Sequence, residues 1–524
     1  MRSSMLLPIM MAVGGCALAL TSHPPALGAP FTDTVVKKVE PFDVPRPTPR
    51  SLSSGIAQSE LFPEGEEVRT LALDLGSLLA EDDRAGSEPL RIGVVQGIRA
   101  SSLESGRWTA LPDGGSLWTA SFRAIGARGV QLRIEPWNPP IGSELIVFAA
   151  NNPRYAAGPF TRTYPARLDA FWTPAIYTER VNLEYYIPPG IDHAARESEL
   201  VVTGVLNLYR PVAESPSLLE LGCHLDVSCY SGWQPDADGV GRLTWTEGGA
   251  GWVCSGGMLN RNPTDFTPLF LTAHHCMAAI DPNTNAWVAW FYQSTACNGS
   301  VPDLSTLPQT MVIATIGEDP TARPDGLPGT DTRLVGLQSS LPGGVSFLGW
   351  DATTWPDQSE AIGIHHPGGT YKRISFGTKV DDQFCGGRTT HEIQYNSAGG
   401  YGSLEGGSSG SPLFDASHRV RGVASCVNSN CAGTTYVGYG QFGTAFTRAL
   451  EAYLVPVDPV YVTGSYGGFE RGTSAQPFNR VIKGAYAVQR GHNVFVSAGS
   501  YNERYTFDKA MTLNAVGGTV VIGQ

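Results

Sequence analysis

Leu271-Thr272-Ala273-His274-His275-Cys276 runs from an apolar stretch into a doubled histidine and a cysteine, and the reading of the chain turns on how it combines with two strings downstream. These are Gly329-Thr330-Asp331-Thr332-Arg333-Leu334 and Gly406-Gly407-Ser408-Ser409-Gly410-Ser411-Pro412. In chain order the three supply an imidazole, a carboxylate and a hydroxyl set among glycines. Acyl transfer to a hydroxyl needs a base that takes its proton and a carboxylate that holds the base in one tautomer. Order alone is weak support. The cysteine directly after the histidine and the glycines on both sides of the serine strengthen it.

Around these motifs the pattern is all-β. Leu269–Leu271, Ala286–Tyr292, Ala361–His365, Lys372–Lys379 and Arg419–Ser425 are short strand candidates between loops rich in Gly, Pro, Asn and Asp. Phe446, Leu450 and Leu454 then fall on one helical face at i, i+4 and i+8. Strands closed by one amphipathic helix predict a double β-barrel with a C-terminal helix over 218–455.

Upstream, Arg2, the apolar Met5–Val13 and the small residues Ala26-Leu27-Gly28-Ala29 read as a secretory signal peptide over 1–28. A lipid anchor through Cys16 is disfavoured, because the apolar Ala17–Leu20 makes a poor mature N-terminus. Phe31–Pro63 reads as an irregular leader. Val130–Ile134 and Val181–Tyr185 alternate as strands of a small cysteine-free β domain, so 29–217 is expected to be a β-rich pro-region removed shortly before Cys223. An accessory binding domain is the plainer alternative. Secretion to the extracellular space is expected from the leader.

The formal net charge of −12 argues against a nucleic-acid partner, and no other stretch has the length of apolar sequence a membrane span needs. Apart from Cys16 the cysteines are Cys223, Cys229, Cys254, Cys276, Cys297, Cys385, Cys426 and Cys431, an even set that in an exported chain means disulfides. With no C-x-x-C pair a metal site is not expected, nor is any cofactor.

Thr272–Cys276 and Gly407–Pro412 resemble the histidine and serine signatures of trypsin-like serine proteases, with the chymotrypsin fold. The wider pattern is similar to the bacterial lysyl endopeptidase branch, through Cys223–Cys229, His274-His275, Ile364-His365-His366-Pro367 with Lys372-Arg373-Ile374-Ser375, and Tyr439-Gly440-Gln441-Phe442. The resemblance implies His275 as general base, Asp331 as its orienting carboxylate and Ser409 as nucleophile. The amides of Gly407 and Ser409 would form the oxyanion hole, and Ser425 would support Asp331 and begin the segment that pairs with substrate. For the disulfides it implies Cys254–Cys276, Cys223–Cys431 and Cys229–Cys297, which leaves Cys385 to Cys426. Asp319, Asp325, Asp351 and Asp357 compete with Asp331, which alone heads a plausible buried strand. His274, His365 and His366 are read as structural.

One departure bears on specificity. Lysyl endopeptidases carry an Asp two residues before the late Tyr-Gly, where this chain has Val437, and the other trypsin-like pocket position is Ser403. Neither offers a carboxylate to a substrate lysine, although Glu405 is close in sequence. Ser408 stands where trypsin-like enzymes place the Asp that pairs with a new N-terminus. Residues 456–524 resemble the opening coils of a parallel β-helix, through Ala498–Glu503, and form a short β-solenoid-like appendage suited to surface or polysaccharide contact.

The function expected is that of a secreted, monomeric serine endopeptidase acting on protein or peptide substrates. A catalytically inactive protease-like binding protein is one alternative. A serine esterase using Ser408 in Gly406-Gly407-Ser408-Ser409-Gly410 is another, disfavoured because its histidine would have to come after the serine.

Overall fold

The computed structural model describes residues 30–36, 47–85, 89–164, 169–210, 222–277, 286–396, 401–428, 433–503 and 507–523. The expected signal peptide with Cys16, the expected processing region near Ser217, and Cys431 lie outside them. The architecture is all-β, with two closed six-stranded barrels.

The first barrel runs through Val240–Glu247, Ala250–Leu259, Leu269–Ala273, Thr332–Leu337, Gln309–Asp319 and Ala286–Ala289. It closes where Gly257 pairs with Leu271 and where Leu243 pairs with Val288. Every residue of Leu269–Ala273 is buried, because one face fills this barrel and the other meets its neighbour. The second barrel orders Val420–Asn428, Pro412–Phe414, Glu360–His365, Arg373–Cys385, Arg388–Asn396 and Thr434–Gln441, and the last strand returns to the first. Phe442–Leu454 then forms the expected helix, with a π turn at Phe446–Leu450 and with Phe446, Leu450 and Leu454 buried. The sequence pattern overextended Ala286–Tyr292, which ends at Ala289 before Phe291 turns to φ 60°.

The N-terminal β domain does not stand apart. Leu90–Ser101 pairs with Ala250–Val253, so Phe171–Trp172, Gly129–Ile134, Val201–Leu208 and Leu90–Ser101 continue the sheet of the first barrel. A second sheet, centred on Ser116–Arg123 and Arg180–Ile187, packs over them. Trp287 and Met311, side chains of the first barrel, belong to the core of this domain beside Leu132, Phe160 and Leu183. Part of the expected irregular leader is ordered as well. Phe31–Thr32 pairs with Trp350–Asp351, and Val35–Val36 pairs with Ser346–Phe347.

Beyond the helix, Val460–Val462, Asn493–Tyr501 and Thr512–Ile522 stack in parallel, as the solenoid reading requires. The intervening helix is Val481–Ala487. This segment is docked rather than hanging free. Arg261, fully buried, donates to the carbonyls of Tyr486 and Ala487 at 3.0 and 2.5 Å, and Tyr486 Oη donates to Leu337 O at 2.8 Å. A cation at the carbonyl end of a helix is favoured by both hydrogen bonding and the helix dipole.

Candidate active site

The strand Leu269–Ala273 delivers His275 to the seam between the barrels, and the Cys254–Cys276 disulfide ties that turn to the neighbouring strand. Asp331 lies at the end of the loop entering Thr332–Leu337. Its backbone sits in the left-handed region at φ 57°, which a short polar side chain tolerates and which aims its carboxylate back at His275. Asp331 Oδ1 accepts His275 N at 2.9 Å, while Oδ2 accepts His275 Nδ1 at 2.6 Å and Ser425 Oγ at 2.6 Å. Burial pushes the Asp331 carboxyl up, but His275, Arg388 and Ser425 outweigh it and hold the group below the ordinary range. With Nδ1 committed to Asp331, His275 presents Nε2, which is buried and has no hydrogen-bond partner among the described residues.

Ser409 reaches the same seam from the second barrel. Its carbonyl accepts Ser255 N at 2.8 Å, and Ser255 Oγ donates to Gly407 O at 2.8 Å. Gly410 lies so close to the histidine strand that a Cβ there would fall 2.2 Å from Thr272 Oγ1. Gly407 takes φ 93°, and a Cβ would meet Gly369 N at 2.6 Å. No side chain fits at either glycine. Among the described residues the amides of Gly407 and Ser409 donate to no carbonyl, as an anion-binding pair requires.

Ser408 faces the other way. Its Oγ lies 2.8 Å from His365 Nδ1 and accepts Glu405 N at 3.2 Å, and His365 Nε2 sits 3.1 Å from Ser375 Oγ. Burial above all, with His224, His366 and Arg373 beside it, holds the His365 imidazole well below the ordinary histidine range. Its ring thus braces the turn that carries Gly407 and Ser409. Glu405 is drawn to His224 Nε2 at 3.0 Å. Val437 is buried in an apolar cluster with Ile393, Leu404 and Ala424, and Ser403, the chain neighbour of Leu404, is fully buried.

The rival aspartates are all engaged elsewhere. Asp325 pairs with Arg323, Asp351 with Arg421, and Asp357 with Lys379. Asp319 is buried behind the loop of Asp331, where it holds Thr330 and Arg323. The His274 imidazole lies 3.9 Å from Glu318, and its amide donates to Asp331 O at 2.9 Å. The pairs Cys229–Cys297, Cys254–Cys276 and Cys385–Cys426 are disulfides, and Cys223 is disulfide-bonded too. Cys254, His275 and Cys276 cluster within 4.8 Å, but both sulfurs are spent in their disulfide, so the group offers a metal no thiolate. Sequence reasoning missed Asp319 as a loop clamp and Arg388, whose guanidinium lies 3.4 Å from Asp331 Oδ2. The Gly386-Gly387 turn before Arg388 was visible; its approach to Asp331 was not.

Two closed barrels with such a site at their seam define a serine endopeptidase of the trypsin-like class, a hydrolase of peptide bonds. Residues 221–443 match the family model of the lysyl endopeptidase C-terminal domain, and residues 71–198 match that of the lysyl endopeptidase N-terminal domain. The chain belongs to the lysyl endopeptidase branch of that class. A lysyl endopeptidase of Pseudomonas aeruginosa is 24% identical over 355 residues, covering 64% of this chain and 74% of that protein. Among solved structures, the Anisep protease of Arthrobacter nicotinovorans aligns at 18% identity and TM-score 0.29, over 40% of this chain and 95% of its own. The thermostable serine protease AL20 from an extremophilic microorganism aligns at 14% identity and TM-score 0.28, over 40% and 94%. The HtrA-type protease AlgW with tripeptide aligns at 17% identity and TM-score 0.30, over 42% of this chain and 62% of its own.

Proposed function

We propose that the protein is a secreted endopeptidase in which Ser409 attacks the scissile carbonyl, His275 carries the proton and Asp331 orients His275. The observation that carries this reading is the double grip of Asp331 on His275, which leaves Nε2 free at the seam where Ser409 lies. Nε2 takes the hydroxyl proton as the Oγ–C bond forms, then returns it to the leaving amine as the peptide bond breaks. Asp331 stabilises the imidazolium in between. The amides of Gly407 and Ser409 meet the oxyanion, each such donor contributing about 3–4 kcal/mol to the transition state. Water then attacks the acyl-enzyme by the same proton route.

Residues 29–217 act as a pro-region cut before Cys223. The esterase reading through Ser408 is disfavoured by the bracing of that hydroxyl against His365. Lysine is not the dominant residue on the acyl side of the cut bond, because Val437 and Ser403 bring no carboxylate there. An organophosphonate probe tests the central assignment. The expected result is a single adduct on Ser409 that coincides with loss of casein hydrolysis, and an adduct on Ser408 would reject it.

A further inference from the structure

Beside the triad, one strand edge lies open. Val420–Asn428 pairs with Thr434–Gln441 along one side, whereas on the other its pairing with Pro412–Phe414 ends at Val423 and Gly410 N takes the carbonyl of Ala424. Among the described residues no strand continues along that side from Ser425 to Val427. An extended peptide can add there as one more strand, with its amides directed at these carbonyls.

Arg388 already occupies the first of them. Its guanidinium donates to Ser425 O, lies 3.2 Å from Ser425 Oγ and 3.4 Å from Asp331 Oδ2, and its side chain is only 20% exposed. The placement is rigid. Arg388 pairs with Cys385 across a two-residue turn of Gly386 and Gly387 at φ 56° and 79°, and Cys385 is bonded to Cys426, the neighbour of Ser425. Side chains alternate along the edge, with Ala424 facing the apolar cluster of Val437 and Ser425 facing Asp331. A bound chain therefore sends one side chain toward Ser403 and Val437, and the next toward His275 and Arg388.

Resting on the assignment of Ser409 as nucleophile, we propose that Arg388 is a specificity-determining residue that yields the Ser425 carbonyl to the substrate amide and pairs with a carboxylate on the second residue of the acyl side. Asp331 Oδ2, 3.4 Å from the guanidinium, also accepts from His275 and Ser425, so it meets only one side of the Arg388 fork and leaves the donors pushed off the carbonyl without an acceptor. An aspartate or glutamate from the substrate does so with two parallel hydrogen bonds. A neutral side chain gives nothing back, and a lysine adds repulsion.

The test compares peptides that differ only in that second residue, Glu, Ala or Lys, on the wild type, Arg388→Gln and Arg388→Glu, with phosphonate labelling of Ser409 as the active-site count. The wild type should favour Glu over Ala by about tenfold in kcat/KM. Arg388→Gln should flatten the series, and Arg388→Glu should turn it toward Lys. A wild-type profile indifferent to this residue overturns the proposal. So does a uniform loss in Arg388→Gln with an unchanged profile, because Arg388 would then act only through Asp331. Failure of Ser409 to label overturns the nucleophile assignment, and this inference with it.

Discussion

Asp319 holds Thr330 twice, accepting its amide at 3.0 Å and its hydroxyl at 2.9 Å on the same carboxylate oxygen. That clamp, buttressed by Arg323 and by Arg448 at 3.5 Å, fixes the residue before Asp331 and with it the left-handed backbone that aims the carboxylate at His275. Asp319→Ala leaves buried donors without an acceptor and should cost about 1–3 kcal/mol in stability. It should also lower kcat more than it raises KM, because the imidazole loses its fixed orientation. Asp331→Asn should leave the fold intact and lower kcat by about 10⁴-fold, through the wrong tautomer of His275. Urea unfolding and steady-state kinetics measure both.

Ser409→Ala should lower casein hydrolysis by at least about 10⁴-fold with an unchanged circular dichroism spectrum. Ser408→Ala should keep the phosphonate label on Ser409 while losing part of kcat, since His365 and the amide of Glu405 both lose their shared hydroxyl. Undiminished proteolysis in Ser409→Ala would remove it from the mechanism.

The half-buried Lys509, whose ammonium donates to the carbonyls of Tyr486 and Val488, sets a pH dependence. Burial first, then Arg261 beside it, lowers its pKa from 10.5 to about 7. Below pH 7 the group is protonated both folded and unfolded, so it adds no slope. Between about pH 7 and 10.5 the unfolded chain holds the extra proton, and stability from this group rises with pH. Lys372, lowered by burial to about 8, acts in the same sense above that pH. Lys509→Met should therefore raise Tm by a few degrees at pH 6 and by less at pH 9, as scanning calorimetry across that range would show. An equal gain at both pH values would contradict the assignment.

Pairing of Leu90–Ser101 with Ala250–Val253, and the sharing of Trp287 and Met311 with the N-terminal core, predict that cleavage before Cys223 leaves the two parts associated. Both fragments should co-elute in gel filtration at neutral pH. Residues 222–523 alone should refold poorly unless 30–210 is supplied in trans. Efficient refolding without it, accompanied by full activity, would show that the shared sheet is dispensable.

Cleavage-site profiling of a mixed peptide library should not return lysine as the dominant acyl-side residue. Val437 is packed among Ile393, Leu404 and Ala424, and Glu405 is turned to His224. A lysine ammonium brought into that pocket would be desolvated without a partner. Cuts confined to Lys-X bonds would mean that a carboxylate reaches the pocket from elsewhere.

From the residues alone came the all-β class, the helix of Phe446, Leu450 and Leu454, and the strings around His275, Asp331 and Ser409. These are local matters: side-chain period sets strand or helix, and a tight turn around a serine demands glycine within a few residues. The disulfide partners came only from resemblance to a family. What tertiary structure alone decided were relations between residues distant in sequence. The buried strand it heads set Asp331 apart from Asp319, Asp325, Asp351 and Asp357 in the chain, but that its carboxylate grips His275 while theirs are drawn to other partners was decided by folding, and no pattern in the chain encodes that Arg388 reaches the carbonyl of Ser425. The N-terminal domain read as a separate unit because alternation specifies a strand but not its partner. Its edge pairs with Ala250–Val253 because unpaired backbone amides and the side chains of Trp287 and Met311 would otherwise be left to solvent.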